Sequence, residues 1–182
     1  MTELKKCAGF DWVRILKLYM AAFPASERKP FPMIVKMTRK GVSDTWGIWE
    51  GKKFRGLAIT INGPKEILLD YYAISKNARG KGLGSAGLRL LSQRYRGKGL
   101  FVEIESPYEP GPDRQMRQRR KSFYLANGLV PMQVMMRLFG VKMELLGLNC
   151  RLDYEGYKNF YRDNYGPWAT GHIDPEEYPA DE

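Results

Sequence analysis

Apolar residues along this chain follow two rhythms. Trp12, Ile15, Leu16, Tyr19 and Phe23 recur at helical spacing, which predicts an amphipathic helix opened by Asp11 as N-cap and closed before Pro24. The proline-bounded connector "PASERKPFP" follows. Ile34 and Met37 then predict a short second helix ending near Gly41. Beyond it the rhythm changes. "TWGIWE" and "FRGLAITI" read as strands joined by the turn "EGKK", Asn62-Gly63 marks a further turn, and "EILLDYYAI" is a third strand. After the polar "SKNARGKG", Leu83, Ala86, Gly87, Leu90 and Leu91 line one face of a helix that starts near Gly82 and stops before Gly97 and Gly99. "LFVEIES" is a strand and residues 107–113 are a Pro/Gly loop. "DRQMRQRRKSFYLAN" is a basic helix with Asp113 as N-cap and Gly128 as its stop. "VMMRLF" and "VKMELL" are short strands around Gly140. Tyr154, Tyr157, Tyr161 and Tyr165 recur at helical spacing in a final helix, a stripe expected to pack on the sheet.

Antiparallel strand runs mixed with two strand-helix-strand crossovers predict an α/β fold, a single domain built on one mixed, mostly antiparallel sheet flanked by helices on both faces. The domain is expected over residues 1–166, with residues 167–182 an acidic, mobile tail rich in Pro and Gly. A length of 182 residues suits one domain with a real core. Hydrophobic residues at 43% and charged residues at 27% describe a globular protein and exclude a disordered one. No apolar run reaches membrane-spanning length, and the N-terminus lacks a signal peptide's apolar core, so a cytoplasmic setting is expected. Cys7 and Cys150 do not make a disulfide framework or a zinc site. The lone His172 disfavours both a histidine metal centre and a Ser-His-Asp triad, so no metal is expected. The net charge of +10 reads in two ways: a basic surface attracts nucleic acid, membranes or a phosphate-rich ligand, or it is a solubilising charge excess.

Glycines crowd one place. Gly82, Gly84 and Gly87 spell G-x-G-x-x-G, while Arg79, Gly80, Gly82 and Gly84 spell R-G-x-G-x-G. A dinucleotide fingerprint needs its first glycine at the end of the first strand of a repeating βαβ unit. Here "SKNARGK" separates the strand end at Ile74 from Gly82, and other strands lie upstream. The second spelling fits its context. Gly80, Gly82 and Gly84 let backbone approach an anion, the first helical turn offers free N–H groups, and Arg79 and Lys81 add charge.

A strand, a polar loop and R-G-x-G-x-G entering a helix resemble the Gcn5-related N-acetyltransferases, the GNAT family. "KSFYLANGLV" resembles the family's later helix, the resemblance runs from about residue 8 to 147, and the ending resembles a bacterial branch of unassigned substrate. It implies transfer of acetyl from acetyl-CoA to a primary amine by direct attack, on a small-molecule or peptide substrate. Homodimers are common in the family. It implies a pyrophosphate cradle of Arg79, Gly80, Lys81, Gly82, Leu83, Gly84 and Ser85, with backbone N–H groups at Ala73 and Ile74 serving the pantetheine arm and the oxyanion. It implies Tyr124 beside the CoA sulfur as the acid, a phenol of about 10 facing a thiolate of about 8.5; a core aromatic like Phe123 beside it is the other reading. Two positions depart from the family pattern: Asn77 replaces a usual glutamine and Arg117 a usual asparagine, so Arg117 either reaches a CoA phosphate or faces solvent.

For the base, Asp70 stands out as a carboxylate in an apolar strand, where burial disfavours its charge; some relatives carry an aspartate at this distance from the loop. A structural carboxylate, or one pairing with the substrate cation, fits equally well. Glu103 and Glu105 share a strand face and offer the substrate ammonium a negative site or a water relay, or simply face solvent. The run "RQMRQRRK" reads as a phosphate attractor or a solvated helix face. Two rivals stand beside the enzyme: a non-catalytic acyl-CoA-binding module on the same fold, and a nucleic-acid binder, which no reader motif supports.

Overall fold

The computed structural model describes residues 1–179. The chain divides into two compact units, residues 1–62 with 69–96, and residues 63–68 with 97–182, where the sequence led us to expect one domain. Eight strands hydrogen-bond in the order β1-β2-β3-β4-β5-β7-β6-β8, and every pairing given by register is antiparallel except β4 with β5. This is the mixed, mostly antiparallel α/β sheet that the pattern predicts.

The first unit opens with β1 (Thr2–Lys6), which the hydrophobic pattern misses. Its mostly exposed, lysine-bearing residues suit an edge strand, and it pairs antiparallel with β2 (Ser43–Glu50). α1 (Asp11–Ala22) begins at Asp11 itself, so Phe10 holds the cap position and Asp11 sits in the first turn, bonded to Arg14. After a 3-10 turn at Ala25–Glu27 comes α2 (Phe31–Arg39), started by Pro30 and Pro32 and ended before Gly41. β3 (Lys53–Asn62) pairs antiparallel with β2, and β4 (Glu66–Ile74) follows. Ile15, Tyr19, Ile34, Leu57, Ile59, Tyr71 and Ala73 form one buried cluster, so α1 and α2 cover the face that carries Tyr71 and Ala73. α3 (Leu83–Arg94) covers the opposite face, where the Tyr72 hydroxyl bonds Gly84 O at 2.6 Å.

In the second unit, the first residues of β4 pair in parallel with β5 (Gly99–Glu105), as Glu66↔Gly99, Ile67↔Leu100 and Leu68↔Phe101. α4 (Arg114–Ala126) begins after Asp113, whose side chain makes no cap bond. β6 (Val130–Leu138) and β7 (Val141–Leu148) form a hairpin through Gly140 (φ +83°). α5 (Tyr154–Tyr165) is capped by Asp153, whose carboxylate accepts from Gly156 N at 2.7 Å. Tyr157 and Phe160 pack their rings edge-on against Phe101, so the tyrosine stripe does pack on the sheet.

Regular structure occupies much of the segment expected as a tail. α6 (Pro167–Thr170) buries Ala169, and β8 (Ile173–Glu176) buries Ile173 and pairs with β6. Pro175 hides this strand from sequence reading, yet an edge strand tolerates proline. Glu176 bonds Arg137 and Lys142, so acidic composition here serves ion pairing. Residues 180–182, the end of the expected tail, lie outside the described residues.

Candidate active site

β4 ends at Ile74, and a 3-10 turn at Lys76–Ala78 carries the chain to Arg79, whose Nε donates to Ile74 O at 3.1 Å. Gly80 and Gly82 both take left-handed backbone, at φ +74° and +72°, and a Cβ on either would meet no protein atom within 4 Å. Glycine is the residue that adopts this conformation without strain. Gly82 caps α3, whose first i→i−4 bond runs from Ala86 N to Gly82 O at 3.0 Å. The N–H groups of Leu83, Gly84 and Ser85 precede that bond and point out of the helix start. A helix dipole, left-handed turns and open space above them make an anion cradle, and a pyrophosphate fits this donor set. Gly87 serves another purpose. A Cβ there would collide with the Tyr72 hydroxyl, so Gly87 lets α3 approach β4 and the G-x-G-x-x-G spelling is incidental.

Asp70 lies on β4 upstream of the cradle, in the same unit as Ala73, Ile74 and residues 79–85. The apolar strand does not leave Asp70 in apolar surroundings, because a cation from the connector reaches it. Lys29 Nζ stands 2.7 and 2.6 Å from the two carboxylate oxygens. The Asp70 side chain keeps 8% of its exposure and that of Lys29 24%. Lys29 was not legible as a site residue, because its connector carries no periodic signal.

Glu103, Glu105 and Tyr124 all fall in the second unit. Glu103 Oε1 accepts from the Tyr157 hydroxyl at 2.7 Å and the Tyr161 hydroxyl at 2.8 Å. Glu105 faces Arg120 at 3.5 Å and Arg117 at 3.9 Å. Arg117 neither faces solvent nor extends from the helix. It is buried, and it donates to the carbonyls of Glu109 and Pro110, tying down the Pro/Gly loop. Lys121 binds the fully buried Glu144, so the basic run turns much of its charge inward. Tyr124 is 8% exposed, and its hydroxyl makes no hydrogen bond among the described residues. Burial pushes its phenol up to about 12, with Arg120 opposing weakly. Burial likewise pushes the Cys7 thiol up to about 12, helped by Asp11, and the Cys150 thiol to about 11, helped by Glu66. Both thiols stay protonated at neutral pH, which removes them as thiolate nucleophiles.

A mixed sheet with a left-handed glycine turn between a strand and a helix start defines an α/β class whose first helical N–H groups face outward at that turn. The chain belongs to the acetyltransferase (GNAT) family, whose model matches residues 12–111. Solved structures agree on the fold. A chain assigned to the GNAT acetyltransferases from Bacteroides thetaiotaomicron superposes with a TM-score of 0.77 at 19% identity, covering 90% of this chain and 98% of that one. The ribosomal-protein-S18-alanine N-acetyltransferase from Escherichia coli gives a TM-score of 0.62 at 15% identity, over 81% of this chain and 93% of that one. A spermidine N-acetyltransferase from Vibrio cholerae gives 0.62 at 12% identity, over 81% and 92%. No curated protein matches by sequence. Among the described residues no helix is long and apolar enough to cross a membrane.

Proposed function

We propose that this acetyltransferase moves the acetyl group of acetyl-CoA onto a primary amine by direct attack in a ternary complex. The two left-handed glycines ahead of α3, with open space above both, carry the assignment. Arg79 to Ser85 would hold the pyrophosphate, and backbone N–H groups at Ala73 and Ile74 the pantetheine arm and the developing oxyanion. Acetyl-CoA supplies an activated thioester carbonyl. Asp70 accepts the proton that the acceptor ammonium must lose. Glu103, whose Oε1 accepts from the Tyr157 and Tyr161 hydroxyls, would draw a cationic acceptor by its charge. The Cys7 and Cys150 thiols are consistent with a reducing, cytoplasmic setting.

Tyr124 takes a narrower role than acid. Its phenol at about 12 lies above a thiol of about 8.5 by a gap worth roughly 5 kcal/mol. Full proton transfer from Tyr124 is therefore uphill. A neutral phenol still donates a hydrogen bond to a leaving thiolate, and the net proton for the thiol comes from the acceptor ammonium. Free-thiol release from acetyl-CoA across an amine panel tests the scheme. Tyr124→Phe should lower kcat on the order of tenfold or more while the KM for acetyl-CoA stays nearly constant. Unchanged turnover removes Tyr124 from the mechanism.

A second reading, a non-catalytic acyl-CoA-binding module, is favoured by one observation: Asp70 is already engaged by Lys29. Tight acetyl-CoA binding with no thiol release for any amine would establish it. Arg117 and Lys121, two of the five cations in the basic run, turn inward and are taken from any nucleic-acid contact.

A further inference from the structure

Lys29 is placed with unusual care for a residue in a connector. The Tyr71 hydroxyl accepts from Lys29 N at 3.0 Å and donates to Glu27 O at 2.8 Å, while the Tyr19 hydroxyl donates to Lys29 O at 3.0 Å. Both rings are buried, at 5% and 1% exposure, and stack edge to face with centroids 4.8 Å apart. Burial first, with the Asp70 charge adding to it, holds both phenols above their usual range, so they remain neutral donors. Two core tyrosines thus clamp the Lys29 backbone on either side, and its ammonium meets both oxygens of Asp70. The pair is enclosed at the carboxylate end and more open at the lysine end.

That geometry constrains an acceptor. An amine reaching Asp70 displaces an ammonium already there. A lone amine brings a second cation to one enclosed carboxylate, and like charges in such surroundings oppose one another. An acceptor that carries its own carboxylate removes the conflict. Its ammonium takes Asp70, its carboxylate takes the Lys29 ammonium, and each charge faces an opposite one.

We propose that the acceptor is a small zwitterion, a free amino acid or a close analogue with a carboxylate beside its amine, and that Lys29 is the specificity-determining residue that reads this carboxylate. The proposal rests on Asp70 marking the acceptor end of the site. The bonds exchanged in recognition are ionic only. In the transfer that follows, a C–N bond forms, the thioester C–S bond breaks, the CoA thiol leaves protonated, and one proton passes through Asp70 to solvent.

The test is calorimetric binding of free amino acids against their own methyl esters, on the full chain with CoA present, at pH 6 where both amines are protonated. At least one amino acid should bind about tenfold or more tightly than its ester. Lys29→Met should abolish that preference, and Lys29→Arg, which keeps the charge, should retain it. A merely structural lysine would change stability in Lys29→Met and leave the ratio alone. Esters binding as well as acids in every pair, neither member binding in any pair, or a preference that survives Lys29→Met each overturns the proposal. Thiol release on the same panel separates the two levels. Amines acetylated without regard to a carboxylate sink this inference and leave acetyl transfer standing. Carboxylate-selective binding with no thiol release does the reverse.

Discussion

Each unit of this protein contains a lysine paired with an enclosed carboxylate, Lys29 with Asp70 and Lys121 with Glu144, and the two pairs are built differently. In the second unit Glu144 is fully buried, Lys121 meets its Oε1 at 2.8 Å, and the Tyr178 hydroxyl donates to the same oxygen. Lys121 also donates to the Tyr108 hydroxyl and lies 4.7 Å from that ring's centroid. Glu144 Oε2 has no hydrogen-bond partner among the described residues. Such a pair is sealed, and neither member can leave without stranding a charge. In the first unit both Asp70 oxygens rest on one ammonium that comes from a connector and stays partly open to solvent. A pair of that kind can exchange partners. What separates the two is that Glu144 is fully sealed and latched by the Tyr178 hydroxyl, whereas the Lys29 side chain keeps 24% of its exposure against 15% for Lys121.

The largest effect should follow from breaking the exchangeable pair. Asp70→Asn should lower kcat by about 10²–10⁴, as loss of a general base does, with acetyl-CoA affinity and the denaturant midpoint little changed. Steady-state kinetics beside urea unfolding would measure both. Glu144→Ala should do the opposite. Removing the buried partner of Lys121 should cost roughly 3–5 kcal/mol of stability, read from the same urea curves. If Asp70→Asn unfolded the protein and Glu144→Ala did not, the contrast would be wrong.

The sequence showed one of these pairs by half. Asp70 was visible because it interrupts "ILLDYYAI", but Lys29 was not, since an ion pair closed across 41 positions leaves no local pattern. Glu144 looked like an ordinary position in "VKMELL", and only the packing of α4 and the 178 region around it gives it meaning. The strands from Ser43 to Ile74 and the glycine turn into α3 were legible because alternation and glycine spacing are local signals. β1 and β8 were not, because edge strands expose polar residues and tolerate proline. Arg117 misled for the same reason as Lys29: a long side chain in a basic run does not announce that it folds back on loop carbonyls.

A smaller effect sharpens the same comparison within the first unit. Gly41 and Gly82 share left-handed backbone, at φ +75° and +72°, with open space above each. Alanine at either should cost about 1–2 kcal/mol of stability from backbone strain. Only at Gly82 does the added methyl enter the cradle. Gly82→Ala should weaken acetyl-CoA binding by about tenfold or more, and Gly41→Ala should leave it unchanged, by calorimetry on both folded variants. Equal affinities would mean that the cradle does not hold the pyrophosphate.

The smallest effect is expected at Tyr178, the outer latch of the sealed pair. Tyr178→Phe removes one hydrogen bond to a charged oxygen while Lys121 remains, so the loss should be about 1.5 kcal/mol or a little more. The pH dependence gives it a signature. Burial first, and then the bond to Glu144, hold the Tyr178 phenol above its usual range. In the unfolded chain that phenol ionises at about pH 10. The folded protein keeps the proton longer, so the stabilisation is fully present below about pH 10 and is lost as pH rises beyond it. Urea midpoints of the wild type should therefore fall more steeply above pH 10 than those of Tyr178→Phe. Parallel curves would mean that Tyr178 contributes packing alone, and that Lys121 by itself seals Glu144.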